Sequence, residues 1–478
     1  MRNNRFTLAT LLIAYGLLTV NGRAQSAANQ APIVIKNQGY VPFAEPPINY
    51  RSAQLDDPVA RLDSHLERGE TQLRYEPGHG YLRSVLEALH IPVSSQTLVF
   101  SKTSFQFQQI NPAKPRALYF NDDVYVGQVD HGKFLEFVSF DPRQGAIFYV
   151  MDEHATAHPR FERAAVDCVQ CHVASPTRGV PGVFLRSVFT RPSGYPAGGT
   201  RSYVTGQESP LDERWGGWYV TSVRGTENGM GNWVMKDDKR AEHPPQGSGN
   251  LASVTGRLDT TAYLSGSSDV VALLVLAHQT QMHNLITLTG YRARLLLAKA
   301  GADATRAGVV PPAIQDDWRK EVEGPAEELV RYLLFANEAP LRGPVVGNTS
   351  FAGDFASRGP FDSRGRSLRQ FDLRKRLFRY PCSYLIYSES FSSLPAPAKD
   401  FVYRRLFEVL SGQDQSPAYA SLSAEDRCAV LEILYETKPG LPAEWKALAR
   451  QALRPAKHAP RAGCETAHLN QQEGRTNE

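Results

Sequence analysis

Two β-type runs flank a short turn in Ala117-Leu118-Tyr119-Phe120-Asn121-Asp122-Asp123-Val124-Tyr125-Val126-Gly127-Gln128-Val129. Asn and Asp favour tight turns, so this segment is typical of a β-hairpin. Further runs rich in β-branched and aromatic residues have turn residues between them, and they cover 97–100, 134–140 and 146–151. We therefore predict an antiparallel meander over residues 96–152.

Helical patterning flanks the meander on both sides. Apolar residues recur with helical spacing in seven segments: 57–70, 82–90, 269–300, 313–335, 399–411, 424–437 and 443–453. In the third of these segments, residues 269–300, the apolar residues form one stripe that includes His278 and Met282. Two stretches, 174–250 and 340–372, are rich in Gly and aromatic residues and have little periodicity. The predicted fold class is α+β, with a β-rich region, a loop-rich region and a mainly α-helical C-terminal region.

A Cys-x-x-Cys-His motif, Cys168-Val169-Gln170-Cys171-His172, follows the meander directly. This spacing is the attachment signature of c-type haem. Two thiols on one helical turn form thioethers to the two vinyl groups, and the adjacent His becomes the proximal iron ligand. We expect Cys168 and Cys171 to bind one haem c covalently, with His172 on its iron.

Two other chemistries use a Cys-x-x-Cys pair, namely a zinc site and a thioredoxin-like redox site. A zinc ribbon needs a second pair, whereas Cys382, Cys428 and Cys464 stand singly and far apart. These three allow at most one disulfide. Cys382 with Cys428 is the favoured pair because Cys464 lies in a polar tail, and two buried thiols are the alternative.

The N-terminus has the pattern of a signal peptide. Arg2 and Arg5 precede an apolar run over 6–20, and small residues surround a cleavage point near Ala24. Haem c is attached outside the cytoplasm, so we expect a periplasmic mature protein with no stable membrane span, an uncleaved anchor being the alternative. Without the signal peptide the net charge falls from +4 to about +1, which does not suggest a nucleic-acid partner.

The predicted organisation has six parts. They are a signal peptide (1–24), a lead-in with short helices (25–95), the β region (96–152), a cytochrome c-type haem-binding region (153–300), a helical C-terminal region (301–455) and a disordered tail (456–478).

The sixth iron ligand decides the function. A haem iron whose sixth position is occupied by Met or His transfers electrons. A haem iron whose sixth position is vacant can bind peroxide, oxygen or a small gas. Met230 is the favoured ligand, because Gly229 and Gly231 would let the backbone approach a porphyrin closely. The other candidates are His154 and His158 before the motif, His278, Met282 and His283 on one predicted helix, or no protein ligand.

Aromatic and basic residues follow the motif closely. Trp215, Trp218 and Trp233 would pack on a haem or fill a core. Five arginines are candidate partners for the haem propionates: Arg178, Arg186, Arg191, Arg214 and Arg224.

Six segments together carry a family resemblance: Arg116–Tyr125, Cys168–His172, Gly179–Gly182, Arg214–Val220, His278–Asn284 and Arg379–Tyr384. With them, most of the mature chain resembles a family of large, mostly uncharacterised single-haem cytochrome c proteins of bacterial periplasms. The resemblance implies haem binding and electron transfer, and it supplies no substrate. Members of that family often have a His before the Met of the Met-Gly-Asn triplet and another after the tryptophans. In this chain the first of these positions holds Gly229, and the second holds Arg224 or one of its neighbours. The resemblance therefore implies no catalytic role that depends on those histidines.

The leading functional prediction is a periplasmic monohaem cytochrome that exchanges single electrons with a redox partner protein. A carrier needs only about 100 residues, so the size of the chain favours the first alternative, a peroxidase-like or oxygenase-like haem enzyme with an open distal site. A second alternative is a haem-bearing sensor or scaffold for a protein partner.

Overall fold

A computed structural model describes residues 41–166, 168–224, 229–236, 251–301, 309–443 and 445–447. The predicted signal peptide (1–24), the predicted tail (456–478) and most of the last predicted helix lie outside these ranges. The lead-in is described only from residue 41 onward.

The predicted meander is confirmed as part of an antiparallel sheet. Its strands are β1 (Thr97–Val99), β2 (Arg116–Phe120), β3 (Val124–Gln128), β4 (Phe134–Asp141), β5 (Gly145–Asp152), β6 (Glu162–Arg163) and β9 (Trp218–Tyr219). The order in the sheet is β6-β5-β4-β3-β2-β1-β9. Strand β9 comes from the stretch in which the sequence indicated only loops, and it pairs with β1. A small second sheet pairs β7 (Leu185–Val188) with β8 (Ser202–Thr205).

The quoted turn forms because Asn121 caps it. Its side-chain Oδ1 accepts hydrogen bonds from the backbone N–H groups of Asp123 at 3.0 Å and Val124 at 2.8 Å. The backbone N–H of Asn121 donates to the carbonyl of Val124, which closes the hairpin. This is the local bonding by which Asn favours turns.

The helices follow the predicted segments closely. They are α1 (Pro58–Glu67), α2 (Leu82–Ala88), α3 (Val169–His172), α4 (Val270–Lys299), α5 (Gln315–Trp318), α6 (Gly324–Leu333), α7 (Phe351–Ser357), α8 (Glu389–Ser392), α9 (Ala396–Leu410) and α10 (Ala424–Thr437). A π-helical turn, Arg319–Glu323, joins α5 to α6. Helix α7 lies inside the stretch 340–372, which the sequence indicated as a loop. The α+β fold class is confirmed.

Helix α4 is the centre of the molecule. The side chain of Asp269 caps it by accepting from the backbone N–H of Val271 at 2.7 Å. The residues of the predicted apolar stripe are buried, and so is every other residue from Val270 to Tyr291. A helix that is buried all round packs against other elements on every side. Within the described ranges, none of the helices combines the length and the apolar character that crossing a membrane requires.

One hydrophobic cluster joins the sheet and the helices. It contains strand residues such as Phe148, residues of α4 such as Leu285, and C-terminal helix residues such as Leu406. The motif residue Val169 belongs to the same cluster. The short motif helix is therefore held on the main core of the protein.

The expected cysteine pair is not formed. Cys382 is a fully buried thiol, whereas Cys428 on α10 is disulfide-bonded. The partner of Cys428 lies outside the described residues. Sequence position alone favoured Cys382 as the disulfide partner of Cys428. The Cys382 side chain is instead buried in the core, and burial raises its pKa to about 12.

Candidate functional site

The Cys-His motif forms a single helical turn. The backbone N–H of His172 donates to the carbonyl of Cys168 at 3.0 Å, and that of Cys171 donates to the same oxygen at 3.2 Å. Residues three apart on a helix lie on the same face, so the two cysteines project to one side. Both are thiols, Cys171 being exposed and Cys168 partly exposed. One bifunctional electrophile could therefore react with both.

The His172 ring is oriented by a backbone carbonyl. Its Nδ1 lies 2.9 Å from Gly182 O, and the N–H of Gly182 donates back to the carbonyl of His172 at 3.0 Å. A carbonyl only accepts, so Nδ1 carries the proton and Nε2 keeps its lone pair. Burial lowers the pKa of His172, which keeps the ring neutral. Among the described residues Nε2 has no hydrogen-bond partner, so it can ligate a metal.

Two aromatic rings lie beside His172. The ring centroid of Phe148, on β5, is 4.8 Å from that of His172, and the centroid of Phe184 is 6.2 Å away. Both rings are tilted relative to the imidazole. These contacts limit the rotation of His172 and keep the surroundings of the imidazole apolar.

Helix α4 holds the segment that orients His172. The side chain of Asn284 accepts from the backbone N–H of Val183 at 3.2 Å and donates to the carbonyl of Val183 at 2.8 Å. A Cβ at position 182 would lie 3.0 Å from Cγ of Asn284 and 3.2 Å from Cβ of Thr177, so only glycine fits there. The sequence placed Gly179–Gly182 in a loop-rich stretch, but it gave no signal that Asn284 would contact this segment.

An ion pair lies near the imidazole on the sheet. Arg116 on β2 binds Glu136 on β4 with 2.5 Å between Nη2 and Oε2. Both act on His172, the arginine lowering its pKa and the glutamate raising it. The sequence gives no local signal that joins these two residues to the motif, because they lie 20 positions apart on different strands and at least 36 positions before the histidine.

Met230 lies in a separate small cluster. It packs with Phe189, Ala197 and Met235, whereas Phe148 and Val169 belong to the main core. The hydroxyl of Ser187 donates to its sulphur at 3.6 Å. The structure therefore does not bring Met230 beside His172, and its role as an iron ligand stays a prediction.

The histidines of α4 make internal contacts. His278 uses both ring nitrogens, with Gln207 Oε1 at 2.6 Å and Ser383 Oγ at 2.7 Å. The Nε2–H of His283 donates to Asp122 O at 2.8 Å, and its ring stacks on Phe140 at 3.8 Å. Both rings and Met282 are fully buried. These side chains act as part of the core.

His154 and His158 both lie on the surface. His154 interacts with Asp152, 2.5 Å from its Nδ1, and the backbone N–H of His158 donates to Thr156. Within the described ranges, neither makes a hydrogen bond or a ring contact with His172.

The arginines predicted as propionate partners make other contacts in the structure, and their propionate binding stays a prediction. Arg178 pairs with Glu328 at 2.5 Å, and Arg214 donates to the carbonyls of Gln207 and Ser209. The backbone of Arg224 pairs with Val346, and exposed Arg186 donates to Ser202 at 2.8 Å. The backbone N–H of Arg191 donates to the carbonyl of Tyr195 at 2.9 Å.

The three tryptophans belong to core clusters. Trp215 is buried, and Trp218 donates from its indole N–H to the carbonyl of Arg186 at 2.8 Å. Trp233 makes an edge contact with Phe189 in the small cluster that contains Met230. In the structure these rings fill the protein interior.

Across the described ranges, no group of three or more His, Cys, Asp and Glu side chains is arranged to hold a metal ion. Comparison of the chain with protein-family models, with curated proteins and with solved structures gave no match in any of the three. Functional inference therefore depends on the motif and on its surroundings.

Proposed function

We propose that this chain is a c-type cytochrome that carries one covalent haem and transfers single electrons. Cys168 and Cys171 would hold the haem through thioethers, and Nε2 of His172 would bind its iron. When bound, the haem supplies one-electron Fe(III)/Fe(II) chemistry.

The observation that carries this proposal is the bond between His172 Nδ1 and Gly182 O. Histidine ligands of metals almost always donate their second N–H to a carbonyl, a carboxylate or water, which fixes the tautomer. In the part of the chain that the structure describes, the Nε2 of His172 has no hydrogen-bond partner, which leaves its lone pair free for a metal. The protein thus provides a neutral, oriented ligand before any metal is present.

The thiols suit covalent attachment. Each sulphur and its hydrogen would add across one vinyl group, so the protein would gain the mass of one haem with no atom lost. This reaction requires two thiols on one side of a turn and within reach of solvent, as Cys168 and Cys171 are.

The proposed location is the periplasm. The signal-like sequence lies in residues 1–24, outside the described ranges. An independent support is the disulfide at Cys428, since disulfides persist in oxidising compartments and are rare in the cytosol. We propose that the electrons pass to and from a redox partner protein in that compartment.

Met230 remains the proposed sixth ligand for the electron-transfer function. To reach the iron it would have to leave the small cluster and the hydroxyl of Ser187. It follows a segment, 225–228, that lies outside the described residues.

The second candidate function is a haem enzyme with an open iron position. One observation favours it: within the described ranges, Met230, His278, Met282 and His283 all have other partners or positions in a core cluster. A peroxide or small gas could then bind at the sixth position.

Absorption spectroscopy separates the two candidates. The protein, expressed with export and haem attachment, is measured oxidised and reduced, with and without carbon monoxide. A low-spin spectrum that carbon monoxide leaves unchanged supports electron transfer. A high-spin spectrum that shifts with carbon monoxide supports the open-site enzyme, and the absence of a covalent haem spectrum overturns both.

A further inference from the structure

Part of one sheet face beside the motif is only half-buried. Cross-strand register places Gly127 opposite Leu118 and Glu136, Glu136 opposite Val150, and Val138 opposite Phe148. Opposed residues of an antiparallel pair share a face, so these side chains lie together. We call Leu118, Gly127, Val138 and Val150 the open sheet face.

Helix α4 covers the rest of the same face. The side chain of Gln279 donates to Tyr125 OH at 2.8 Å, and His283 stacks on Phe140. Both Tyr125 and Phe140 are buried, whereas Leu118, Val138 and Val150 are only partly buried. The uncovered part carries the apolar side chains of Leu118, Val138 and Val150 together with Glu136. Phe148 at its edge contacts His172.

Arg116 provides a charged group at this surface. Its guanidinium lies over Gly127, where an added Cβ would come within 2.6 Å of Nε and 2.8 Å of Cζ. One nitrogen, Nη2, binds Glu136, but the Nε–H is buried and has no hydrogen-bond partner among the described residues. A buried donor without a partner costs free energy, and a carboxylate binding at Nε would remove that cost.

This face combines apolar side chains with an incompletely bonded arginine, and its edge contacts His172 through Phe148. Such a surface suits an amphipathic, planar ligand that carries carboxylates. We propose that the haem packs on the open sheet face and that Arg116 binds one of its propionates. This inference rests on the proposed function. Arg116, which is distant from the motif in sequence, takes the propionate-binding role that the sequence suggested for other arginines.

The test compares the holoprotein with Arg116→Gln, Arg116→Lys and, as a control, Arg404→Gln. Arg404 is exposed and pairs with Glu408, so it matches Arg116 as an ion-paired arginine remote from the motif. The measurements are the haem content, the reduction potential and the dependence of that potential on pH.

In Arg116→Gln we expect covalent haem to be retained, with a lower reduction potential and a stronger pH dependence. Loss of the cation raises the pKa of the propionate and couples its protonation to reduction. Arg116→Lys keeps the charge but not the Nε–H, so its potential should lie between those of the wild type and Arg116→Gln. Arg404→Gln should match the wild type.

Gly127→Ala provides a second approach if Arg116→Gln folds poorly. The backbone of Gly127 suits any residue, and the added methyl group would displace the guanidinium while keeping its charge. It should change the potential in the same direction as Arg116→Gln.

Haem-loaded Arg116→Gln and Gly127→Ala proteins with the potential and pH dependence of the wild type would overturn this inference and leave the proposed function intact. An Arg116→Lys protein identical to the wild type would reduce the role of Arg116 to long-range charge and would also overturn it. A wild-type protein without covalent haem would overturn the proposed function itself.

Discussion

The Nδ1 atom of His172 lies 2.9 Å from the carbonyl oxygen of Gly182. This contact fixes the tautomer of the motif histidine and directs the lone pair of Nε2 away from the loop. The loop is in turn held by Asn284, which makes two hydrogen bonds to the backbone of Val183. The orientation of the proposed ligand therefore depends on a residue 112 positions further along the chain.

Replacing Asn284 with Ala should destabilise the protein. The N–H and the carbonyl of Val183 are buried and would both lose their partner, which costs about 1–3 kcal/mol for each group left unsatisfied. Urea denaturation measures the change in the free energy of unfolding. Asn348→Ala is the control, since its side chain also bonds the backbone but lies nearer the surface. Equal stability of Asn284→Ala and the wild type would contradict the role of Asn284.

Gly182→Ala should disturb the same contact from the other side. The new methyl group would meet Asn284 and Thr177, so the loop must shift and the bond from His172 Nδ1 to the carbonyl must lengthen. We expect a lower yield of haem-loaded protein than for the wild type. Gly343→Ala is the matched control, because a Cβ there meets nothing within 4 Å. Equal haem content in both variants would argue against the close fit.

The buried histidines of α4 should make the protein sensitive to acid. Burial lowers the pKa of His278 to about 3 and that of His283 to about 4. Below about pH 6.5 an unfolded histidine binds a proton that the folded core excludes, so stability falls as the pH decreases. Each such histidine contributes a slope of about 1.4 kcal/mol per pH unit.

His278→Gln isolates one of these contributions. The amide can still bond Gln207 and Ser383 but does not titrate. The difference in unfolding free energy between the wild type and His278→Gln should therefore change between about pH 6 and pH 4. The contributions of the other titrating groups are the same in both proteins, so they cancel in this difference. Parallel stability curves would show that His278 is not neutral and buried.

Cysteine labelling tests the revised thiol assignment. Burial raises the pKa of Cys382 to about 12, and its side chain is sealed in the core. It should react with iodoacetamide only after unfolding, and Cys428 only after reduction as well. Peptide mass spectrometry reads both results. Labelling of Cys428 in unreduced, unfolded protein would contradict the disulfide.

Met230→Ala tests the sixth ligand. If Met230 binds the iron, the variant should change from a low-spin to a high-spin spectrum and should gain affinity for carbon monoxide. Met235→Ala is the matched control, since Met235 is buried in the same small cluster. Identical spectra for Met230→Ala and the wild type would show that Met230 does not bind the iron.

The sheet could be predicted from the sequence because its signals are local. Turn residues such as Asn121 and Gly145 lie between alternating strands that are adjacent along the chain, and the register follows from those turns. Strand β9 escaped prediction because two residues, Trp218 and Tyr219, carry no periodicity. Its pairing with β1 connects residues about 120 positions apart.

The surroundings of the motif could not be predicted for a related reason. The motif itself is a local signal, but Asn284 and Arg116 reach it from other elements. The apolar stripe of helix α4 includes His278 but not Gln279, and it gave no sign that either residue bonds outside the helix. They are buried and bonded to distant partners, and a one-dimensional pattern contains no record of such pairs.

The most direct test of the central claim is the intact mass of the exported protein, produced in cells that attach haem c, beside a Cys168→Ala, Cys171→Ala double variant. The account predicts that the wild type exceeds its polypeptide mass by the mass of one haem after denaturation, and that the double variant does not. A wild-type protein at its bare polypeptide mass, produced in cells that load a control cytochrome, would contradict it.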